Sequence, residues 1–234
     1  SLQSAFDQTH YKVKKKKSNL KKHYNKNIAI IDLTKKYIYV ALHYQPERST
    51  SPDGGLYVHQ WLMINLLAHT VPTDWYVYVK EHPSQFAHFS RGENGRIVEH
   101  YSDFKLYDNV KLVSLNYTPF DLIDNSQSVA TVTGTAGWEA LLRGKPALVF
   151  GTAWYQMCEG VFKINSIEDA QIAFNKIQKG FVPNFNKVKA FLSAIDKCPV
   201  RPQENQINVH CNSINNPLLV AKWISHYFDE LNEK

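Results

Sequence analysis

Residues Thr131 to Glu139, read Thr-Val-Thr-Gly-Thr-Ala-Gly-Trp-Glu, have the types and spacing of a phosphate-holding turn. A β-branched run ends there, a glycine follows, and a helical pattern begins. The free N–H groups at a helix start, together with the helix dipole, suit an anion. Thr133 and Thr135 add hydroxyl donors, and Gly134 and Gly137 let the backbone approach a ligand closely. Glu139 lies one turn into the helix, where a carboxylate can reach a ribose hydroxyl pair. The same residues also describe an ordinary strand-to-helix turn with Thr135 as its N-cap. Neither a Walker loop nor a Gly-x-Gly-x-x-Gly fingerprint is present.

Two further polar clusters follow apolar runs. Lys80-Glu81-His82-Pro83 comes directly after Trp75 to Val79. Its lysine and histidine can both contact a phosphate, and Pro83 biases His82 toward extended backbone. The alternative is a surface loop with a solvated Lys-Glu pair. Gln45-Pro46-Glu47-Arg48-Ser49-Thr50 follows Tyr37 to Leu42. Gln45 and Glu47 can hydrogen-bond sugar hydroxyls, and Arg48 can meet a carboxylate or phosphate; an ordinary polar loop is the other reading. Trp154 and Tyr155, after Pro146 to Phe150, offer either a stacking surface for a base or sugar, or core packing. Tyr44, His59 and Gln60 are softer candidates.

These clusters need a scaffold that brings them to one edge. Tyr37–Leu42, Trp75–Val79, Val110–Leu115, Ser128–Val132 and Pro146–Phe150 read as buried strands, with Val161–Ile164 as a sixth. Helical periodicity covers Leu56–His69, Thr118–Asn125, Ala136–Arg143, Ile167–Gln178, Asn186–Asp196 and Pro217–Leu231. Thr118 is placed as an N-cap with Pro119 at the first helical position, and Gly144 as a helix stop. Strands alternating with helices predict an α/β fold: a Rossmann-like, doubly wound, mostly parallel sheet with extra C-terminal helices. In such sheets ligands bind outside the carboxyl ends of the strands, where all of these clusters fall.

Charge is uneven along the chain. Of its 234 residues, the first 36 hold ten lysines against Asp7 and Asp32, so the excess of +6 belongs to that segment. Residues 1–34 are expected to form a basic arm or linker, solvated and flexible, ahead of one domain at 35–234. The lysines between 12 and 26 are also a candidate for peripheral contact with anionic membrane. The rest of the chain lacks the interleaved aromatics of a nucleic-acid groove, so no nucleic-acid partner is expected. No apolar run approaches the ~18 residues of a membrane helix, and no signal peptide is present. A cytoplasmic location, peripheral at the inner membrane at most, is the expectation. Cys158, Cys198 and Cys211 are too scattered for a disulfide framework or a zinc site, and no carboxylate pair has metal-ligand spacing, so neither metal nor cofactor is expected.

The order of the clusters resembles the bacterial capsule polysaccharide biosynthesis family, which includes β-Kdo transferases. The resemblance covers about residues 37–165 and rests on Gln45-Pro46-Glu47, Pro52-Asp53-Gly54, Gln60, Lys80-Glu81-His82-Pro83, Thr133-Gly134-Thr135, Glu139-Ala140-Leu141 and Gly144-Lys145-Pro146. The Glu-Ala-Leu and Gly-Lys-Pro portion is also similar to GT-B glycosyltransferases in general and to nucleotide-sugar 2-epimerases. The resemblance implies the C-terminal half of a GT-B fold, with the nucleotide-sugar donor as substrate. It implies a phosphate role for His82, by analogy with CMP-sugar enzymes, a turn role for Thr133, Gly134 and Thr135, and a ribose role for Glu139. The implied activity is a glycosyltransferase of capsular or surface polysaccharide biosynthesis, using a CMP-activated sugar such as CMP-Kdo and a glycolipid or polysaccharide acceptor. A UDP-sugar transferase or epimerase-like enzyme, or a non-catalytic capsule assembly and export module, would share the fold. A GT-B enzyme also needs a preceding Rossmann domain, for which residues 1–34 are too short. The catalytic group is therefore expected on another domain, and this chain alone is expected to be inactive.

Overall fold

The computed structural model describes the backbone of residues 2–46 and 50–197, and the side chains of 11–46 and 50–195. Glu47, Arg48, Cys198, Cys211 and the helical pattern at Pro217–Leu231 lie outside the described residues.

Six strands form one sheet in the order β3-β2-β1-β4-β5-β6. They are β1 (Tyr37–Ala41), β2 (Tyr76–Lys80), β3 (Val110–Leu112), β4 (Ser128–Thr131), β5 (Ala147–Val149) and β6 (Val161–Lys163). Every pairing is parallel. The strands fall on the expected segments: β1, β4, β5 and β6 are one residue shorter at one or both ends, β3 stops three residues early at Leu112, and β2 is shifted by one to end on Lys80. Short strands rich in Val, Ile and Tyr suit a sheet buried on both faces.

Alternation along the strands sorts their side chains onto two faces. Ile38, Val40, Val77, Val79, Val110, Leu112, Ala130 and Leu148 pack on one side with α2 (Trp61–Thr70) and α5 (Ile167–Gln178). Tyr37, Tyr39, Tyr78 and Val129 face α3 (Pro119–Asn125) and α4 (Thr135–Leu142). On that same side, Ala147 and Val149 meet α6 (Phe185–Lys197). The sheet is thus doubly wound, and its order reverses between β1 and β4, which defines the crevice where ligands of such folds bind.

Local signals explain the helix ends. Thr118 Oγ1 accepts the Asp121 N–H at 3.0 Å and Pro119 opens α3. Ser166 and Asp169 form a reciprocal capping box on α5. Gly144 ends α4 with φ +71°, a conformation other residues rarely adopt. The predicted helix at 56–69 is broken: a 3-10 turn covers Gly55–Val58 and α2 begins at Trp61. At the break the Val58 carbonyl accepts a hydrogen bond from Gln45 Nε2 at 2.8 Å.

The largest departure from the sequence reading is the basic segment. Leu2–Asn27 is a 26-residue helix, α1. Its C-terminal half is built into the domain: Leu20 and Tyr24 belong to the main core, and Lys17 is buried, donating to the carbonyls of Ala87 and His88 at 2.9 Å each and to that of Ser90. Tyr24 donates to the Val113 carbonyl and packs edge-on against Tyr101 at 5.0 Å. Positions 17, 20 and 24, buried, and 13 and 27, half-buried, form a helical stripe that includes a lysine.

Between β2 and β3, four 3-10 turns pack around Tyr101, Phe104 and His100. The His100 ring meets Trp61, Tyr101 and Phe104 edge-on at 6.0, 5.3 and 5.3 Å, and its Nε2 is buried without a hydrogen-bond partner. Burial, then the nearby Arg96 charge, then His59, push it down to about 3.

Two predictions follow from this packing. Tyr24→Ala removes a fully buried ring and should cost about 3–5 kcal/mol, read from urea denaturation; a loss below about 1 kcal/mol would return α1 to the status of an arm. His100 stays neutral in the folded state while its unfolded form titrates near 6.5. Between pH 6.5 and about 3 the unfolded chain therefore binds the extra proton, and stability should fall by up to about 1.4 kcal/mol per pH unit. His100→Phe should show a shallower decline in its urea midpoints over that range.

Candidate functional site

The carboxyl ends of β1, β2, β4 and β5 meet at one edge of the sheet. His43, two residues past β1, lies at the reversal of strand order. Its ring Nε2 accepts the Thr133 N–H at 3.1 Å and lies 3.1 Å from Thr131 Oγ1. That contact places the imidazole proton on Nδ1. The His43 backbone is clamped by the buried Gln60, which accepts its N–H at 2.8 Å and donates to its carbonyl at 3.3 Å. His43 was invisible as a candidate, since a lone histidine in a polar loop carries no spacing signal.

The turn from β4 to α4 has the predicted order and partly different reasons for it. Gly134 is the N-cap residue, at φ −74° and ψ 155°, and no side chain caps the helix. Thr135 is the first helical residue, not the cap, and its Oγ1 lies 3.5 Å from Glu139 Oε1. Gly134 is required by space and not by backbone angle: a Cβ there would sit 2.8 Å from Thr131 Oγ1 and 3.1 Å from the His43 ring. Its N–H and that of Thr133 are already committed, to Thr131 Oγ1 and His43. The Gly137 N–H is bonded to the Gly134 carbonyl at 3.3 Å, so the donors left at the start of α4 are the N–H groups of Thr135 and Ala136. Gly137 serves packing, because a Cβ there would lie 2.3 Å from the Tyr155 hydroxyl, which donates to the Gly134 carbonyl. Glu139 is half-buried, and its charge helps burial raise the phenols of Tyr39 and Tyr155.

Lys80 ends β2. Its register partner is Ala41, and strand alternation puts its side chain on the Tyr76/Tyr78 side, the same face that α4 covers. The start of α4 follows β4, two strands across, or about 10 Å. Lys80 is 4% exposed, and burial holds its ammonium below the ordinary lysine value. Among the described residues no carboxylate pairs with it. A desolvated, unpaired cation is costly and calls for an anion.

Glu81 points the other way and is not a solvated partner of Lys80. It is 1% exposed and forms a salt bridge with Arg96 at 2.9 Å. It also accepts the Tyr101 hydroxyl at 2.9 Å and the His82 N–H at 3.0 Å. Arg96 reaches on to the His43 carbonyl at 3.1 Å and to the Gln45 side chain. Gln45, expected at a sugar, is instead bound within the protein on every side: its N–H and carbonyl pair with the Gln85 side chain at 2.9 and 2.8 Å, and its amide holds Val58 and Arg96. His82 is exposed, extended at ψ 130°, and caps the next turn by accepting the Ser84 N–H on Nδ1 at 3.1 Å. Tyr44 accepts the Arg91 N–H at 2.7 Å.

Loops from β1 and β5 close over this edge. Gly151 donates to the Val132 carbonyl and Thr152 to that of Asp53, each at 2.7 Å. Gly54 and Gly151 pack where any Cβ would collide with backbone. Of the two aromatics after β5, Tyr155 is core, whereas Trp154 is 52% exposed and packs on Trp138 at 4.9 Å. Burial pushes the Cys158 thiol up to about 12, so it is unreactive.

Sheet order and the reversal crevice define a Rossmann-like α/β protein. The sequence goes further: residues 47–184 match the model of the capsule polysaccharide biosynthesis protein family. The chain belongs to that family. Over 79 residues it is 33% identical to the capsule polysaccharide modification protein LipA of Neisseria meningitidis serogroup A, a match covering 34% of this chain and 10% of the relative. The serogroup B protein matches at 32% over the same length. The aligned region is thus about a tenth of these curated relatives. Among solved structures, the β-Kdo 2,7 transferase KpsC of Thermosulfurimonas dismutans matches at TM-score 0.40 and 18% identity, over 69% of this chain and 51% of that one. The UDP-GlcNAc 2-epimerase of Methanocaldococcus jannaschii matches at TM-score 0.44 and 13% identity, over 77% and 50%.

If the buried ion pair holds the site's loops, breaking it should be expensive. Arg96→Ala and Glu81→Gln should each destabilise by about 3–5 kcal/mol, because each leaves its partner buried and uncompensated. Glu81→Leu combined with Arg96→Met should cost far less than the sum of the single changes. Additive losses in urea denaturation would mean the two residues act separately.

Proposed function

We propose that this chain is the donor-binding unit of a glycosyltransferase in capsular or surface polysaccharide biosynthesis. Its substrate is a nucleotide sugar, with a CMP-activated acid sugar such as CMP-Kdo as the favoured donor. The acceptor is a glycolipid or polysaccharide. The observation that carries the reading is Lys80: a desolvated ammonium with no carboxylate partner among the described residues, on the sheet face where α4 starts without a side-chain cap. Family membership supplies the biosynthetic setting. The choice of CMP rests on the resemblance of His82-Pro83 to the corresponding element of CMP-sugar enzymes.

The chemistry follows from charge. When the bond between the sugar's anomeric carbon and the phosphate oxygen breaks, its electron pair stays on that oxygen, and the phosphate passes from one negative charge to two. A fixed cation and the positive end of α4 favour that product over the reactant, so they lower the barrier to departure. His82, with its ring orientation set by Ser84, is placed to add a donor. Glu139 takes the ribose hydroxyls and Trp154 offers a face for the base. The residue that activates the acceptor belongs to another domain, so this chain binds donor without turning it over.

Calorimetry with CMP, CMP-Kdo, UDP and GDP tests the reading. CMP ligands should bind, and Lys80→Met and His82→Ala should each weaken them tenfold or more. Lys80→Met should at the same time leave the melting temperature equal or higher, since it removes an unpaired buried charge. Tighter binding of UDP or GDP would overturn the base assignment. Unchanged affinity in both variants would remove the β2 end from the site.

A further inference from the structure

The donor-site reading does not use the lysines of α1. The helix turns one stripe inward, with Lys17, Leu20 and Tyr24 buried and Val13 and Asn27 half-buried, so its rotation is fixed and its outer arc is defined. Lys12, Lys14, Lys15, Lys21 and Lys22 are exposed on that arc, and Lys16 is exposed beside the inward stripe. Lys15 and Lys22, seven residues apart, share the line opposite the buried stripe. Lys14 and Lys21, also seven apart, flank it on one side and Lys12 on the other. None has an acidic partner among the described residues; the one lysine of α1 in an ion pair is the buried Lys17, with Glu93. The exposed lysines are therefore a fixed cationic ridge, and not half of a salt-bridge lattice.

Its position is also defined. Tyr24 meets the Val113 carbonyl and Lys17 meets the segment 87–90, both beyond the carboxyl ends of β2 and β3. From Lys17 the helix continues toward its N-terminus for about 20 Å at 1.5 Å per residue. The ridge therefore flanks the same edge of the sheet as the donor crevice.

We infer that α1 docks the protein on an anionic lipid surface through this ridge. The charges are all lysine, compact and strongly hydrated, suited to a diffuse sheet of headgroups more than to bidentate readout of bases or phosphates. The ridge is convex and has no aromatic ladder, whereas single-stranded nucleic acid is held in grooves that interleave cations with stacking rings. Each lysine near an anionic surface adds roughly a fivefold gain in partitioning, and the effect decays within a Debye length. Docking is therefore electrostatic, reversible and salt-sensitive.

Flotation of the full chain with vesicles tests this. The protein should float with vesicles of phosphatidylcholine containing about one-third phosphatidylglycerol at 0.1 M salt. It should stay behind with pure phosphatidylcholine, and should be released at 0.5 M salt. A variant carrying Lys14→Glu, Lys15→Glu, Lys21→Glu and Lys22→Glu changes exposed positions alone and should bind at least a hundredfold more weakly. Its melting temperature, and its CMP affinity if the donor reading holds, should match the parent. Equal flotation of variant and parent would overturn the inference. So would tighter binding to a 15-nucleotide oligouridylate than to the anionic vesicles, which would assign the ridge to nucleic acid.

Discussion

The site edge depends on one buried ion pair. Glu81 leaves the end of β2 on one face and meets Arg96, which comes from an irregular segment fifteen residues later. Through Arg96 the pair reaches the His43 carbonyl and Gln45, so it ties the ends of β2 and β1 to the segment between β2 and β3. A buried pair of this kind gains little over a well-packed apolar substitute. What it supplies here is position. Tyr101 and the His82 N–H complete the Glu81 carboxylate, so the chain direction after β2 is fixed by hydrogen bonds in which each donor is specific.

Alternation then divides the labour between neighbours. Lys80 and Glu81 are adjacent in sequence and on opposite faces of the sheet, so they do not neutralise each other. Glu81 is matched inside the protein; Lys80 has no carboxylate partner among the described residues. The same division recurs at the end of β4, where the Thr133 and Gly134 N–H groups are consumed by His43 and Thr131 while those of Thr135 and Ala136, at the start of α4, meet no side-chain cap. In both places one group is spent on rigidity beside a neighbour that is not. Rigid support beside a polar group is what preorganised electrostatic stabilisation requires.

The strands were legible because each combines β-branched or aromatic residues with an abrupt polar end, and a parallel sheet buried on both faces needs nothing subtler. α5 was legible to the residue, since its capping box and apolar period agree. α1 was hidden because the stripe that docks it contains Lys17, whose ammonium is satisfied by carbonyls seventy residues away; a lysine run reads as solvated until those carbonyls are known. The site was legible as a set of strand ends and not as a set of roles. Gln45 looked like a sugar ligand because a polar side chain in a loop shows no sign of the acceptors it will find. Glu81 looked like a partner for Lys80 because adjacency in sequence is easier to see than a fifteen-residue separation. His43 had no signal at all.

The roles that remain bear on where proton transfer can occur. The Glu81 side chain is buried and paired with Arg96, so it cannot reach an acceptor hydroxyl. Lys80 and the start of α4 carry positive potential, which stabilises a departing phosphate but disfavours a base that must accept a proton and become less negative. Among the described residues, Asp53, exposed on the loop after β1, and half-buried Glu139 are carboxylates near this edge. In the proposed reading Glu139 is taken up by the ribose hydroxyls. On that reading, positive charge at this edge favours binding and leaving-group departure, and activation of the acceptor falls to the opposite side of the crevice.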